Sequence, residues 1–292
     1  MDKKKIMFII NPISGVGKQK TVEKAIERYL DKSKFDYVIK YTTHHKHAID
    51  VSKNAAEEQY DAVIAVGGDG SVNEVGQSLI DTPTAIGIIP AGSGNGLAHF
   101  MDIPFNVAKA IRVINKFKII KIDTATINDY PFISIAGVGF DALIAKNFAK
   151  SKKRGFWPYA KLVAKDIFFF RPNRYKLYAD GRIIKRRALL ISFANSNQWG
   201  FNATIAPTAS LTDGLLDVCI VRRLPAVVIP LLAIFLFLRV LDKTIYLEII
   251  KASHVRIIQR VNHITQVDGE PLELTRDLTI KVKPASLNII VP

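Results

Sequence analysis

The chain of 292 residues is 49% hydrophobic and 23% charged, which excludes a disordered or fibrous protein and leaves room for two domains of ordinary size. Its one cysteine, Cys219, excludes an internal disulfide and a cysteine metal cluster. A net charge of +15 directs attention to anionic partners.

In chain order, Met-Asp-Lys-Lys-Lys runs straight into an apolar strand over 6–10. No secretory pattern is read there, and the expected compartment is the cytoplasm. The loop Asn11-Pro12-Ile13-Ser14-Gly15-Val16-Gly17-Lys18 follows, then a helix over 21–30 with Val22, Ile26 and Tyr29 at helical spacing. A strand over 37–41 and a helix over 48–58 come next. The apolar run 63–66 predicts a buried strand, broken by Gly67-Gly68-Asp69-Gly70-Ser71 ahead of a helix over 72–80. A fourth strand over 85–89 ends in Pro90-Ala91-Gly92-Ser93-Gly94-Asn95-Gly96. This alternation predicts a Rossmann-like parallel sheet with helices on both faces, whose ligands bind at the carboxyl ends of the strands. The loops 11–18, 67–71 and 92–96 all fall on that edge.

Glycines around Asp69 let the backbone approach a bulky anion, and the amides of the next helix aim at it with the helix dipole behind them. The pattern is neither a Walker loop nor a GxGxxG fingerprint. A carboxylate in such a loop repels phosphate unless a cation lies between, so Asp69 points to a Mg²⁺-nucleotide. The plainer alternative is a glycine-rich turn between strand and helix.

Beyond about residue 121 the pattern changes. Strand-like runs over 119–123, 132–135, 175–178, 188–193 and 216–221, with turns at Asn128-Asp129 and Asp180-Gly181, predict a mostly antiparallel second domain. Cys219 lies in an alternating run and reads as a core thiol. Residues 146–187 carry 14 Lys/Arg against Asp166 and Asp180, interleaved with Phe156, Trp157, Tyr159, Phe168, Phe169 and Phe170. This suits an anionic membrane surface; a solvated basic face over core aromatics is the alternative, and nucleic acid is not the partner expected. The uncharged stretch 224–238 has 15 residues and contains Pro225 and Pro230. It is shorter than the roughly 20 residues a spanning helix needs, so a buried or interfacial helix is expected.

With these loops in order, the chain resembles the diacylglycerol kinase catalytic family, which includes sphingosine and ceramide kinases and bacterial lipid kinases. Asn11-Pro12 with Ser14-Gly15, Gly67 to Ser71 with Asn73-Glu74, and Pro90 to Asn95 match in order and spacing. So do Gly137-Val138-Gly139-Phe140-Asp141, Asp213-Gly214-Leu215-Leu216-Asp217 and Asp268-Gly269-Glu270. Gly-Gly-Asp-Gly alone also fits NAD kinases and phosphofructokinases; the later motifs separate them. The resemblance implies a nucleotide-binding α/β domain over 1–122, to which 278–292 returns, and a β-sandwich lipid-substrate domain over 123–277. It implies ATP and Mg²⁺ as cofactors. Asn11 and Thr42 would contact the nucleoside or ribose side, Gly67, Gly68, Asp69, Gly70, Ser71 and Asn73 the phosphates, and Ser93 the same pocket. A structural Mg²⁺ in the second domain would take the Asp213 side chain and the carbonyls of Ser210 and Leu215.

Phosphorylating an alcohol needs a base within hydrogen-bond reach of the hydroxyl. By resemblance Glu270 is the proton acceptor and Asp268 orients the hydroxyl or holds magnesium, with exchange of the two roles left open. Against this stands a plain Asp-Gly hairpin turn with solvated acids. His44, His45 and His47 suggest a metal on composition alone. The resemblance instead makes His47 a loop residue near the nucleotide, in a loop with Lys46 where a glycine is usual. Gly92-Ser93-Gly94-Asn95-Gly96-Leu97-Ala98-His99 departs from Gly-Thr-x-Asn-Asp-Phe-Ala-Arg and is closer to sphingosine kinase spelling, which leaves the lipid head group unassigned. The function expected is an ATP-dependent lipid kinase, peripheral at the inner membrane surface, with a diacylglycerol-, sphingoid- or ceramide-type lipid as acceptor. A kinase of a soluble alcohol or NAD, and a catalytically silent lipid-binding protein, are the alternatives. A homodimer through an edge strand stays open.

Overall fold

The computed structural model describes residues 2–12, 19–151, 155–259 and 264–292. Ser14, Gly15, Gly17 and Lys18 of the first loop, and Lys152-Lys153-Arg154 of the basic block, lie outside the described residues. The chain divides into two compact units, Met1–Ile122 with Ala285–Pro292, and Asp123–Pro284.

In the first unit β1 (Lys4–Ile10), α1 (Gln19–Tyr29), β2 (Phe35–Tyr41), α2 (His47–Glu57), β3 (Ala62–Gly67), α3 (Asp69–Leu79), β4 (Ala85–Pro90), α4 (Gly96–Phe100) and α5 (Val107–Lys116) alternate. Strand β1 pairs in parallel with β2 and β3, and β3 in parallel with β4. Strands β3 and β4 are buried throughout, which is why they read as unbroken apolar runs. Ile6, Phe8 and Ile10 of β1 point to one face, where they pack with Val22 and Ile26 of α1 and Ile111 and Ile114 of α5. Helix α5 starts at Asn106, whose side chain accepts the Lys109 amide, and ends at Phe117 in the left-handed region. Helix α3 begins at Asp69, three residues before the expected start, so the glycine loop supplies the first helical turn.

The second unit contains β5 (Ile119–Ile127), which begins in the first, then β6 (Tyr130–Phe132), β7 (Ile135–Gly139), α6 (Phe140–Ala149), α7 (Phe156–Asp166), β8 (Asn173–Ala179), β9 (Arg182–Ala188) and β10 (Leu190–Ala194). There follow β11 (Leu216–Val221), α8 (Ile229–Phe237), β12 (Leu247–Ala252), β13 (His254–Gln259), β14 (Ile264–Val267), β15 (Glu270–Glu273) and β16 (Asp277–Ile290). One sheet runs β16-β13-β8-β9 and the other β12-β11-β10-β7-β14-β15, with antiparallel pairing throughout both. Side chains of both sheets share one core: Val138, Phe193, Val218 and Ile220 from one, Leu177, Val255, Ile257 and Ile280 from the other. This is a β-sandwich. The alternate residues of β11, Cys219 and Val221, face the opposite way and pack with Phe140 and Ile144 of α6 and Leu232 of α8. Cys219 is a buried core thiol, as its alternation implies.

The run 132–135 is two strands rather than one, because the amides of Ile133, Ser134 and Ile135 turn to the carboxylate of Asp268. The returning segment joins the first unit at Ala285 rather than 278. Residues 277–281 still pair with β13, after which Ala285 takes a left-handed φ of 47° and Ile289 pairs in parallel with Ile86 of β4. Among the described residues, no helix is long and apolar enough to cross a membrane.

Candidate active site

The first unit gathers its loops at the carboxyl ends of β1 to β4. Gly68 is extended rather than left-handed (φ −95°, ψ −169°) and caps α3 without a side-chain bond. Its glycine is required by a neighbour: a Cβ at Gly92 would sit 2.3 Å from the Gly68 Cα, and one at Gly68 would sit 3.0 Å from the Gly92 Cα. The loops after β3 and β4 therefore touch backbone to backbone. Ala91 N–H donates to the Gly67 carbonyl at 2.8 Å. Buried Asn95, itself left-handed, knits its loop by accepting from the Gly92 amide at 3.0 Å and donating to the Gly92 carbonyl at 2.7 Å. Gly70 by contrast has open space where its Cβ would be. Asn11 Nδ2 donates to Ser71 Oγ at 3.3 Å, which joins the first loop to the glycine loop. Asn73 Oδ1 is buried without a hydrogen-bond partner. Thr42 is buried at the end of β2, with its amide on the Ile10 carbonyl; Ser93 is exposed.

Asp69 is anchored by the loop that follows β4. Its Oδ1 accepts the Gly96 amide, the first of α4, at 2.6 Å. Burial pushes its carboxyl above the usual carboxylate range, offset in part by the amides of Gly96, Asn95, Asp69 itself and Leu97. In this arrangement the carboxylate fastens the second loop to the third and faces helix amides. The first turn of α3, from Gly68 to Ser71, has no side-chain cap at its N-terminus, and that is the geometry that receives an anion.

In the adjoining histidine loop, His47 Nδ1 lies 3.1 Å from both the Thr43 amide and its hydroxyl, and the His44 and His47 rings stack at 4.8 Å. The Lys46 amide donates to Glu74 Oε1 at 3.1 Å. Lys46 has φ 67°, a conformation glycine takes without strain and lysine holds at a cost of about 1 kcal/mol.

In the second unit Asp268 and Gly269, with φ 45° and 85°, form the two-residue turn of the β14–β15 hairpin, where Val267 faces Glu270. The Asp268 carboxylate accepts three amides, from Ile133 (2.8 Å), Ser134 (2.9 Å) and Ile135 (2.8 Å). That commitment ties the hairpin to the β6–β7 connection. Glu270, the other acid of the motif, is part-buried at the start of β15.

Behind the turn lies a chain of polar groups for which the motifs alone suggest no task. The Gly269 amide donates to Gln266 Oε1 at 2.9 Å, and Gln266 Nε2 donates to Asp141 Oδ2 at 3.4 Å. Ser192 Oγ donates to the same oxygen at 3.2 Å, and the Ala142 amide to Oδ1 at 2.8 Å. A Cβ at Gly137 would fall 1.9 Å from that Oδ2, so glycine there makes room for the carboxyl. Burial pushes Asp141 up to about 7, and its hydrogen bonds only partly offset this. Tyr175 beside it is pushed up to about 12, by burial first and by Asp141 as well.

Of the residues expected to hold a structural metal, Asp213 already carries a cation on its side chain. Asp213 Oδ1 accepts the Leu215 amide at 3.1 Å, and its Oδ2 receives Lys251 Nζ at 2.7 Å. The same ammonium lies 3.3 Å from Asp217 Oδ1 and 3.4 Å from the Thr208 carbonyl. The Asp217 side chain, 1% exposed, needs a positive partner; Lys251 supplies it from the facing position of β12. Its ammonium is held above the usual lysine range, with the Asp213 hydrogen bond the largest cause. A divalent ion brought to Asp213 meets a resident cation. The Ser210 hydroxyl lies 3.3 Å from that of Thr212.

Comparison with known proteins places this arrangement. The profile of the diacylglycerol kinase catalytic domain matches residues 5–127, and that of the YegS C-terminal NAD kinase beta sandwich-like domain matches 134–291. The chain is 27% identical to "Diacylglycerol kinase" of Bacillus subtilis (strain 168), over 94% of this chain and 89% of that one. It is 31% identical to "Probable lipid kinase YegS" of Escherichia coli (strain SMS-3-5 / SECEC), over 79% and 78%. The crystal structure of a diacylglycerol kinase from Bacillus anthracis str. Sterne superposes with a TM-score of 0.79 at 20% identity, covering 100% of this chain and 98% of that chain. An NAD kinase from Archaeoglobus fulgidus in complex with ATP superposes with a TM-score of 0.54 at 14% identity, covering 98% and 93%; both likenesses speak for the fold. The chain belongs to the diacylglycerol kinase catalytic family, with the YegS-type β-sandwich as its second domain, and is a lipid-kinase-like protein.

Proposed function

We propose that the protein transfers the γ-phosphate of ATP to the hydroxyl of a lipid. The observations that carry the donor half are the backbone contact of Gly68 with Gly92 and the N-terminus of α3, which no side chain caps and where Asn11 meets Ser71. Phosphates there gain amide donors and the dipole of an 11-residue helix. Thr42 and Ser93 would border the same nucleotide. Glu270 is the proton acceptor in this reading; Asp268 sets the turn that presents it. Magnesium would enter as the counter-ion of the nucleotide and would supply charge neutralisation for the transferring phosphate. Asp69 is the carboxylate of the phosphate loop, already engaged by α4. The sphingosine-kinase-like spelling of loop 92–96 keeps sphingoid and ceramide lipids beside diacylglycerol as acceptors.

The test is transfer from γ-labelled ATP to diacylglycerol, ceramide, sphingosine and NAD in parallel. Label in one of the lipids is the expected result. Label in NAD alone overturns the lipid acceptor, and no transfer to any acceptor by a protein that still binds vesicles identifies a silent lipid-binding protein. Glu270→Gln should abolish transfer while ATP affinity stays within about twofold.

A further inference from the structure

The described residues include 15 large hydrophobic side chains that are exposed, and nine of them fall in two segments of the second unit. Trp157 (79%), Phe168 (60%) and Phe169 (82%) belong to or follow α7; Val227, Leu231, Ile234, Phe237, Leu238 and Ile245 belong to or flank α8. Helix α7 packs Tyr159, Leu162 and Val163 partly buried against the core and has no fully buried residue. Helix α8, IPLLAIFLF, has no polar residue at all, so it has no face suited to water. Its inner side is anchored by Leu232, 5% exposed in the core that α6 and β11 share. The two segments are neighbours: the Phe156 ring lies 6.0 Å from Phe237 and 5.4 Å from Trp157. A patch of this kind on a folded domain marks a docking surface.

Its surroundings identify the occupant. Arg222 and Arg223 precede α8, Arg239 and Lys243 follow it, and Lys161 and Lys165 lie on α7, all exposed. An apolar centre within a cationic rim matches a bilayer whose surface carries anionic head groups. Nine residues are far too few to cross a bilayer, so α8 lies along the interface. We propose that α7 and α8 form the membrane-docking face of this protein, with α8 and Trp157 entering the head-group region of an anionic phospholipid surface and the basic residues resting on its phosphates. The proposal rests on the lipid-acceptor reading only for its purpose, which is to bring the second unit to where such an acceptor resides.

The experiment uses the full chain with vesicles of phosphatidylcholine alone and of phosphatidylcholine with phosphatidylglycerol, read by flotation and by quenching of Trp157 emission with bromine-labelled acyl chains. Trp199 is replaced by phenylalanine so that one indole reports. Binding to the anionic vesicles, a blue shift and quenching are expected. Leu231→Asn with Ile234→Asn should lower vesicle affinity at least about tenfold, and Arg222→Glu with Arg223→Glu should remove the preference for anionic vesicles and its salt dependence. Transfer to a detergent-dispersed lipid should survive all four substitutions. This separates failure of docking from failure of the kinase reading, since Glu270→Gln should dock normally. Unchanged binding by the asparagine variant overturns the proposal. So does a dimer in light scattering that Leu231→Asn dissociates while wild-type protein ignores vesicles, because that result assigns the face to a second copy of the chain.

Discussion

Replacing Asp141 by asparagine should change how stability depends on pH. The carboxyl lies under Gly137, among Ser192 Oγ, Gln266 Nε2 and the Ala142 amide, with Tyr175 and Tyr159 beside it. Its pKa rises from 3.8 to about 7 because burial disfavours the anion. Between these values the folded state holds a proton that the unfolded chain has released, so stability is greatest at low pH and declines as pH rises through the window, then levels above about 7. At about 1.4 kcal/mol per pH unit the ceiling is about 4 kcal/mol, lowered to the extent that water reaches this part-buried carboxyl. An asparagine side chain in its place cannot titrate, yet its amide oxygen still accepts the Ala142 N–H. Urea unfolding of both proteins between pH 4 and pH 8, followed by tryptophan fluorescence, measures the effect, since Trp157 and Trp199 both lie in the second unit. Asp141→Asn should gain stability relative to wild type with each step up in pH, and the gain should stop near neutrality. Parallel curves for the two proteins would refute the buried-carboxyl account.

Two further outcomes follow from single contacts. Gly92→Ala forces a methyl to within 2.3 Å of the Gly68 Cα and should cost about 1–3 kcal/mol while weakening ATP binding at least tenfold. Gly70→Ala meets open space in the first turn of α3 and should be neutral or slightly stabilising; equal losses of melting temperature in the two variants would remove the backbone contact as the cause. Lys251→Met strips the cation from Asp213 and from buried Asp217; because the lysine is 40% exposed, a cost of about 2 kcal/mol is expected. Adding Asp217→Asn should recover part of it, and Mg²⁺ without nucleotide should raise the melting temperature of Lys251→Met but not of wild type. A Mg²⁺-dependent shift in the wild-type protein, abolished by Asp213→Asn, would restore the metal to this cluster.

The parallel half of the fold is legible because buried parallel strands are apolar without interruption, and glycine loops mark their ends. What escapes the sequence depends on partners distant along it. Asp69, read from its own loop as a metal-side group, also meets amides at Asn95 to Leu97. Asp268, read as catalytic, serves amides more than 130 positions earlier. Lys251 becomes the counter-ion of Asp217 only once β11 and β12 are in register, and no local spacing announces that. The strand break after Phe132 has the same origin, since nothing in 132–135 itself turns its amides aside. Helix α5, with its Asn106 cap and four buried apolar residues, is readable by periodicity yet is missing from the elements expected above. The exposed face of α8 is visible as an uncharged run, but only its anchored Leu232 and its short length tell a surface-lying helix from a buried one.

The chain's return to the first unit has a consequence for biosynthesis. Ile289 pairs with Ile86, Ile290 fills the core beside Ile6 and Ile64, and Asn288 holds the carbonyls of Thr82 and Pro83. Until the ribosome has delivered all of 123–284, β4 is a bare apolar edge, open to pairing with any other nascent strand. The first unit, begun before the second, is therefore completed after it, and a nascent chain stalled before Ala285 should be a client for chaperones rather than a folded domain.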